Sequence, residues 1–305
     1  MKHTFYSNGK LLITGEYLVL DGALAFALPT KFGQNLIVEK TNNCHIHWKS
    51  FDADGTIWFE DIISFSQITN SVFQEKETIK STLVSILHAA YLLNSDFISN
   101  QTGYTVTTQL TFPKKWGLGT SSTLINNIAQ WLDVDAFTLL NNSFGGSGYD
   151  IACAQNDSPI LYHLENGKPI IEKVNFKPVF SQHIYFVYLN KKQSSKSAII
   201  DYHASKTQNL NATINENDKI TMEFLQANSL HSFTQALEKH ETKMSKILKT
   251  SPVQEALFSD FAGKTKSLGA WGGDFVMVLS DYDPTDYFSL KGFTTVLSYD
   301  EMILH

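Results

Sequence analysis

Two short segments constrain this chain more than anything else in it: PKKWGLGTSSTL at 113–124 and GGSGYDIA at 145–152. The first closes an extended stretch, Tyr104 to Phe112, and opens an apolar-periodic one with Leu124, Ile128, Trp131 and Leu132. Gly117 and Gly119 let the backbone bend closely around a ligand. Thr120, Ser121 and Ser122 then bring hydroxyls to the start of an expected helix over Thr120–Leu132. A helix N-terminus presents unpaired N–H groups and a partial positive charge, so it suits an anion. The second segment sets one acid, Asp150, at the end of another loop of small residues. A phosphate cradle with a single placed carboxylate is the pattern of phosphoryl-transfer chemistry.

Length and composition bound the rest. The chain has 305 residues, enough for one large domain or two modest ones with a full core. Its 30 acids against 24 bases leave a net charge of −6, which provides no electrostatic footprint for nucleic acid. All of the bases are lysine, because the chain has no arginine. A bidentate guanidinium fork is therefore missing, and anionic substrates must be met by lysine, hydroxyls, backbone N–H or a metal. Cys44 and Cys153 fit no metal or redox spacing and suggest a reducing compartment. The start, MKHTFYSNGKLL, lacks the apolar core of a signal peptide, and no apolar run nears the roughly 20 residues of a membrane span. A soluble cytoplasmic protein with no membrane or nucleic-acid partner is expected.

Periodicity gives a mixed order of elements. Strands are expected at Lys10–Thr14, Ala23–Leu28, Leu36–Glu39, His45–Trp48, Thr56–Phe59 and Tyr104–Leu110. A helix is expected over Thr78–Leu93, from the spacing of Ile79, Leu83, Ile86, Leu87, Ala90 and Tyr91. Strands follow near Ile160–His163 and Pro169–Val174, and the β-prone run His183–Leu189 opens a second unit. Helices over Ser195–Ser205, Glu216–Leu237 and Val253–Lys266, then strands Phe275–Leu279 and Phe293–Leu297, complete an α+β pattern.

With these motifs in place, the chain resembles the GHMP kinases, named for galactokinase, homoserine kinase, mevalonate kinase and phosphomevalonate kinase. GLGTSS followed by SGYD carries the resemblance, SNGKLLITGEY (7–17) is similar to the family's first motif, and KSLGAWGGDF (266–275) to its glycine-rich third. The isoprenoid branch fits best, through GEYLVLDGALAFALP and LNKKQSSKSAI (189–199), and GGSGYDIA resembles a distinct bacterial subgroup. The resemblance implies a two-domain α+β GHMP kinase fold. A ribosomal-protein-like α/β domain would occupy 1–178 and a ferredoxin-like domain 179–305, with the active site in the cleft between them.

The same resemblance implies the roles of individual residues. Lys115, Gly117, Leu118, Gly119, Thr120, Ser121 and Ser122 match the loop around the ATP phosphates, and Ser121 the serine that helps hold Mg²⁺. Asp150 matches the catalytic aspartate, and Lys10 a first-motif lysine that lies close to it in several members. Glu16, Ser147 and Ser195 are carried over as substrate contacts. The implied activity is transfer of the γ-phosphoryl group of ATP to an alcohol, mevalonate first, in isoprenoid biosynthesis, by an enzyme that is a possible homodimer. Phosphomevalonate kinase, another GHMP acceptor kinase and a non-catalytic nucleotide-binding relative are the alternatives. Lack of arginine disfavours a decarboxylase of diphosphomevalonate. The family glutamate that binds Mg²⁺ has no counterpart between the helix and Asp150; either Asp133 or Asp135 substitutes for it, or Mg²⁺ rests on Ser121 and the nucleotide alone. Trp271 and Asp274 stand where the third motif usually has small or neutral residues.

Overall fold

The computed structural model describes residues 2–70, 78–98, 102–193, 199–200, 202 and 209–304. They group into two compact units. The first comprises Met1–Gly9, Phe32–Lys114 and Leu118–Gln155, and the second Lys10–Lys31, Lys115–Gly117 and Asn156–His305. No helix among the described residues is long and apolar enough to cross a membrane.

Strands β1 (Lys2–Thr14) and β2 (Ala25–Thr41) are each divided between the units. The first unit adds β3 (His45–Phe51), β4 (Ile57–Ser64) and β5 (Gly103–Leu110), and helices α1 (Phe65–Thr69), α2 (Ile79–Leu93), α3 (Thr120–Leu132), α4 (Ala136–Ser143) and α5 (Tyr149–Gln155). Its strands run in the order β4-β3-β5-β2, with β3 and β5 parallel and the other neighbours antiparallel. Alternation decides the core face: Ile46 and Trp48 of β3, Val106 of β5 and Leu36 and Val38 of β2 all point inward. Ile86, Leu87 and Ala90 of α2, Ile125 and Ile128 of α3 and Ile151 of α5 cover that face. The start of α2 is fixed by a capping box between Thr78 and Ser81.

In the second unit, β6 (Ile160–Glu165) pairs with residues 25–27 of β2 and with β7 (Lys168–Lys173). Then come β8 (Ile184–Tyr188), α6 (Leu210–Gln226), α7 (Leu230–Leu248), α8 (Val253–Leu257), β9 (Lys264–Ser267), β10 (Phe275–Leu279), α9 (Thr285–Leu290), β11 (Val296–Ser298) and α10 (Tyr299–Met302). β8 to β11 form an antiparallel sheet in the order β11-β8-β10-β9, the arrangement of a ferredoxin-like unit. Every residue of the central strand β10 is buried, so both faces of this sheet are covered. Val187, Val276 and Val278 pack on Phe258, Phe261 and Phe288 on one of them.

Several expectations are corrected. Ala23–Leu28 and Leu36–Glu39 are parts of one strand, β2. Pro29 does not break it, because its carbonyl accepts from Leu304 N–H and Thr30 bridges to Ile303. The helix expected over Glu216–Leu237 is two helices, interrupted at 227–229, where Ser229 caps α7 in a capping box with Ser232. Val253–Lys266 is a short helix followed by strand β9, with Gln254 accepting from Thr265 N–H at 2.7 Å. The last strand is Val296–Ser298, not Phe293–Leu297. GGSGYDIA runs into helix α5 instead of ending as a loop, and α4 is an addition. Of the helix expected over Ser195–Ser205, all but residues 199, 200 and 202 lie outside the described residues.

The second unit also buries charge. Glu16 is 1 % exposed and Lys266 0 %, and Lys266 Nζ donates to Glu16 Oε1 at 2.8 Å. His240 Nε2 lies 3.0 Å from Glu16 Oε2. Burial alone would raise the Glu16 carboxyl, but the basic side chains around it hold it below its ordinary value. Beside this pair, Glu241 accepts from Ser267 N–H at 3.1 Å and from the Ser267 hydroxyl at 3.2 Å. Burial pushes the Glu241 carboxyl up to about 7, against the pull of Lys266. An acid whose pKa rises on folding favours the folded state fully below its unfolded value and loses that contribution as pH passes the folded value. Glu241 therefore contributes less stability at pH 8 than at pH 5. Thermal unfolding of Glu241→Gln should show a gain in Tm over the native protein that grows from pH 5 to pH 8.

Candidate active site

In the first unit the geometry begins at α3. Gly119, at φ 99°, is its N-cap residue, and no side chain caps it. A residue with a Cβ is strained in that left-handed region, so glycine permits the turn. The helix closes its first bond from Thr123 N–H to Gly119 O at 2.9 Å, which leaves the preceding amides without intrahelical acceptors. The hydroxyls divide their work. Ser122 donates to Gly119 O at 2.9 Å, and Thr123 to Gln34 Oε1 at 2.8 Å, so both anchor the turn from within. Ser121 is exposed. Thr120 Oγ1 is buried and has no hydrogen-bond partner among the described residues. Leu118 is buried and fixes the loop from below.

A buried polar network holds α3 from behind. Ser7 Oγ donates to Asn127 Oδ1 at 2.8 Å and accepts from Asn126 Nδ2 at 2.8 Å, while Asn127 Nδ2 donates to Gln34 O at 2.9 Å. Gln155 of α5 donates to Asn126 Oδ1 at 3.0 Å, so the two helices that carry Ser121 and Asp150 are tied together. None of these amides is singled out by sequence reasoning; the signal available is three Asn and Gln residues on otherwise apolar helix faces. Asp150 lies partly buried in the first turn of α5, and its Oδ1 accepts from Ile151 N–H at 3.1 Å. Gly145, Gly146 and Gly148, all at positive φ, lead into it, with Ser147 partly buried among them. Asp135 caps α4 by accepting from Thr138 N–H at 2.7 Å, and Asp133 ends α3 in the left-handed region.

In the second unit, Lys10 of β1 donates from Nζ to Gly117 O at 3.2 Å. Gly117, at φ 72°, lies against Asp274: a Cβ there would stand 2.3 Å from the carboxyl carbon. Asp274, itself at φ 54°, accepts through Oδ1 from Gln193 N–H at 3.2 Å. Burial raises the Asp274 carboxyl, while the charges of Lys10 and Lys192 and the Gln193 amide pull the other way. Lys115 has an exposed side chain, and its carbonyl accepts from the Tyr188 hydroxyl at 3.0 Å. Trp116 packs edge-on against Phe275, 5.3 Å between ring centres. Glu16 is committed to Lys266 and His240, and Trp271 is a buried member of an apolar cluster with Tyr17, Leu18, Met244 and Ile247. Ser195 lies outside the described residues.

These features place an uncapped helix N-terminus with an unsatisfied hydroxyl in one unit, and a lysine and a carboxylate on the preceding glycine in the other. No group of three His, Cys, Asp or Glu side chains able to hold a metal occurs among the described residues. An exposed Ser121 hydroxyl beside the partnerless Thr120 hydroxyl fits a hard cation that brings most of its ligands with it.

No protein-family model matches the sequence, and no curated protein does. Solved structures do: the chain has the fold of the GHMP kinases along its whole length. It is similar to the mevalonate kinase of Methanococcus jannaschii with a TM-score of 0.72 at 14% identity, over 100% of this chain and 99% of that one. It is similar to the galactokinase of Lactococcus lactis, complexed with galactose, with a TM-score of 0.69 at 13% identity over 99% and 93%. The phosphomevalonate kinase of Streptococcus pneumoniae, in complex with phosphomevalonate and AMPPNP, gives 0.66 at 16% over 97% and 99%.

The contact at Gly117 predicts a stability effect without any ligand. Gly117→Ala should cost about 1–3 kcal/mol in denaturant unfolding, from the strained φ and the clash with Asp274 together. Combining it with Asp274→Gly should recover part of that loss.

Proposed function

We propose that this protein is an ATP-dependent kinase that transfers the γ-phosphoryl group to an alcohol. The observation that carries the reading is the N-terminus of α3, which no side chain caps and beside which the buried Thr120 hydroxyl has no partner among the described residues. Phosphate oxygens satisfy both needs at once, and the helix dipole favours their charge. In this reading the amides of Gly119 to Ser122 and the Thr120 hydroxyl bind the phosphates, with Gly117 and Leu118 shaping the loop and Lys115 flanking it. Ser121 holds Mg²⁺, which when bound neutralises charge on the phosphates.

Asp150 takes up the proton of the acceptor hydroxyl, or orients that hydroxyl, as the new P–O bond forms. Its first-turn position on α5, tied to α3 through Gln155 and Asn126, keeps it in register with the helix that binds phosphate. Lys10 steadies negative charge near Gly117. Ser147 and Ser195 are acceptor contacts, and Glu16 supports the acceptor side from within the buried pair with Lys266. Mevalonate is the acceptor we favour, because the first motif resembles that of mevalonate kinases and one of them is similar along the full chain.

ADP release from Mg·ATP, measured with mevalonate, phosphomevalonate, homoserine and galactose, tests the proposal. Acceptor-dependent ADP should appear with one of the four and fall at least about 100-fold in Asp150→Asn. Thr120→Val should weaken nucleotide binding about tenfold, the worth of one charge-assisted hydrogen bond, without lowering Tm. ATP binding with no acceptor-dependent ADP would remove mevalonate and the other three acceptors, and leave either a kinase of a different acceptor or a nucleotide-binding protein.

A further inference from the structure

The carboxylate of Asp274 is held where an anion-binding loop would be expected to carry positive charge alone. Its position is fixed from several sides. Asp274 N–H donates to Lys191 O at 2.7 Å, and its carbonyl accepts from Leu189 N–H at 2.8 Å. Gln193 N–H holds Oδ1, and a Cβ on the neighbouring Gly273 would stand 2.7 Å from Lys191 O. The backbone and Oδ1 of Asp274 are thus both held by the 189–193 segment. Against it lies Gly117, whose carbonyl takes the Lys10 ammonium at 3.2 Å. One fixed negative charge therefore sits beside a fixed positive charge at this point of the loop. Lys192 also acts on the carboxylate, but it is exposed, and water and salt screen it. The chain has no arginine to restore the balance.

We infer that Asp274 is a positioning residue that, paired with Lys10 at Gly117, makes the phosphate loop discriminate against a bare polyphosphate and admit its divalent-cation complex. This rests on the kinase reading. Lys10 alone would attract either form of the nucleotide. With the carboxylate beside it, the charge of Lys10 is offset at this point of the loop, and a compensating cation is best supplied with the ligand. A free triphosphate meets repulsion from Asp274; the metal complex carries less negative charge and presents a cation to the carboxylate.

Isothermal titration of the full chain with ATP in EDTA and with Mg·ATP separates this role from a structural one. Asn suits Asp274: it has the same shape and tolerates positive φ as readily. Asp274→Asn should bind metal-free ATP on the order of tenfold more tightly while its affinity for Mg·ATP changes little, so that the ratio of the two Kd values falls about tenfold. Asp274→Gly, which also fits φ 54°, should show the same fall in ratio and guards against a folding defect in the first variant. Lys10→Met should move the ratio the opposite way. An unchanged ratio in both Asp274 variants, or a parallel loss of both affinities, overturns the inference and leaves the kinase reading standing. A native protein that binds neither form overturns the kinase reading together with it.

Discussion

The left-handed backbone at Gly119 is the constraint on which the candidate site depends. Where no side chain caps a helix, its first amides lack intrahelical acceptors and are left for water or a ligand. At φ 99° the turn into α3 is open to glycine and strained for other residues. The helix it starts is asymmetric. Its rear face is secured by Ser7, Gln34, Asn126 and Asn127 in a network with no slack, while its leading end has donors to spare. Polar groups buried at the back are satisfied within the protein, whereas Thr120 is satisfied by nothing among the described residues. Within a single helix, polar groups at the back are paired and the Thr120 hydroxyl at the front is not, the contrast on which the proposed phosphate site rests.

The second unit solves a different problem, that of placing charge inside an apolar interior. Glu16 and Lys266 are both almost fully enclosed, and their pairing, with the Ser267 carbonyl as a further acceptor for the ammonium, offsets a desolvation cost that either alone would not survive. Gly15 makes the turn after β1 possible, because a Cβ there would lie 2.7 Å from Ala25 Cα. Similarity to kinases at 13–16% identity is intelligible on this basis. A few backbone-permissive glycines and inward-facing alternation are enough to keep the fold while most side chains change.

Much of this is legible in the sequence, and for physical reasons. Helix α3 has the bounds its sequence predicts, because glycine precedes it and Leu124, Ile128, Trp131 and Leu132 mark one face. Strands β5 and β10 are visible as alternating or β-branched runs between polar turns. Errors arise where local pattern and tertiary context disagree. The periodic run through Glu216–Leu237 hides a break, since Ser229 and Ser232 form a cap without the acidic partner that usually announces one. Glycines in GGSGYDIA mask a helix start whose apolar part, Ile151 to Ala154, is buried against the core. Fewest clues exist for partners distant along the chain. Glu16 meets Lys266 across 250 positions, and Asp274 meets Gly117 across about half the chain, so no window of sequence contains either contact.

The second unit is discontinuous: its opening segment, Lys10–Lys31, precedes the first unit's main body, Lys115–Gly117 interrupts that body, and the rest runs from Asn156. During synthesis the ribosome releases that opening segment long before Lys266 and β10 exist. Residues 25–27 lack a partner until β6 is made, near the middle of the chain, and Glu16 lacks the Lys266 counter-charge until far later. The nascent chain must therefore carry an unpaired strand segment through about half of translation and a bare acid through most of it. Closure of the strand precedes closure of the ion pair, so the two are completed at separate stages of synthesis.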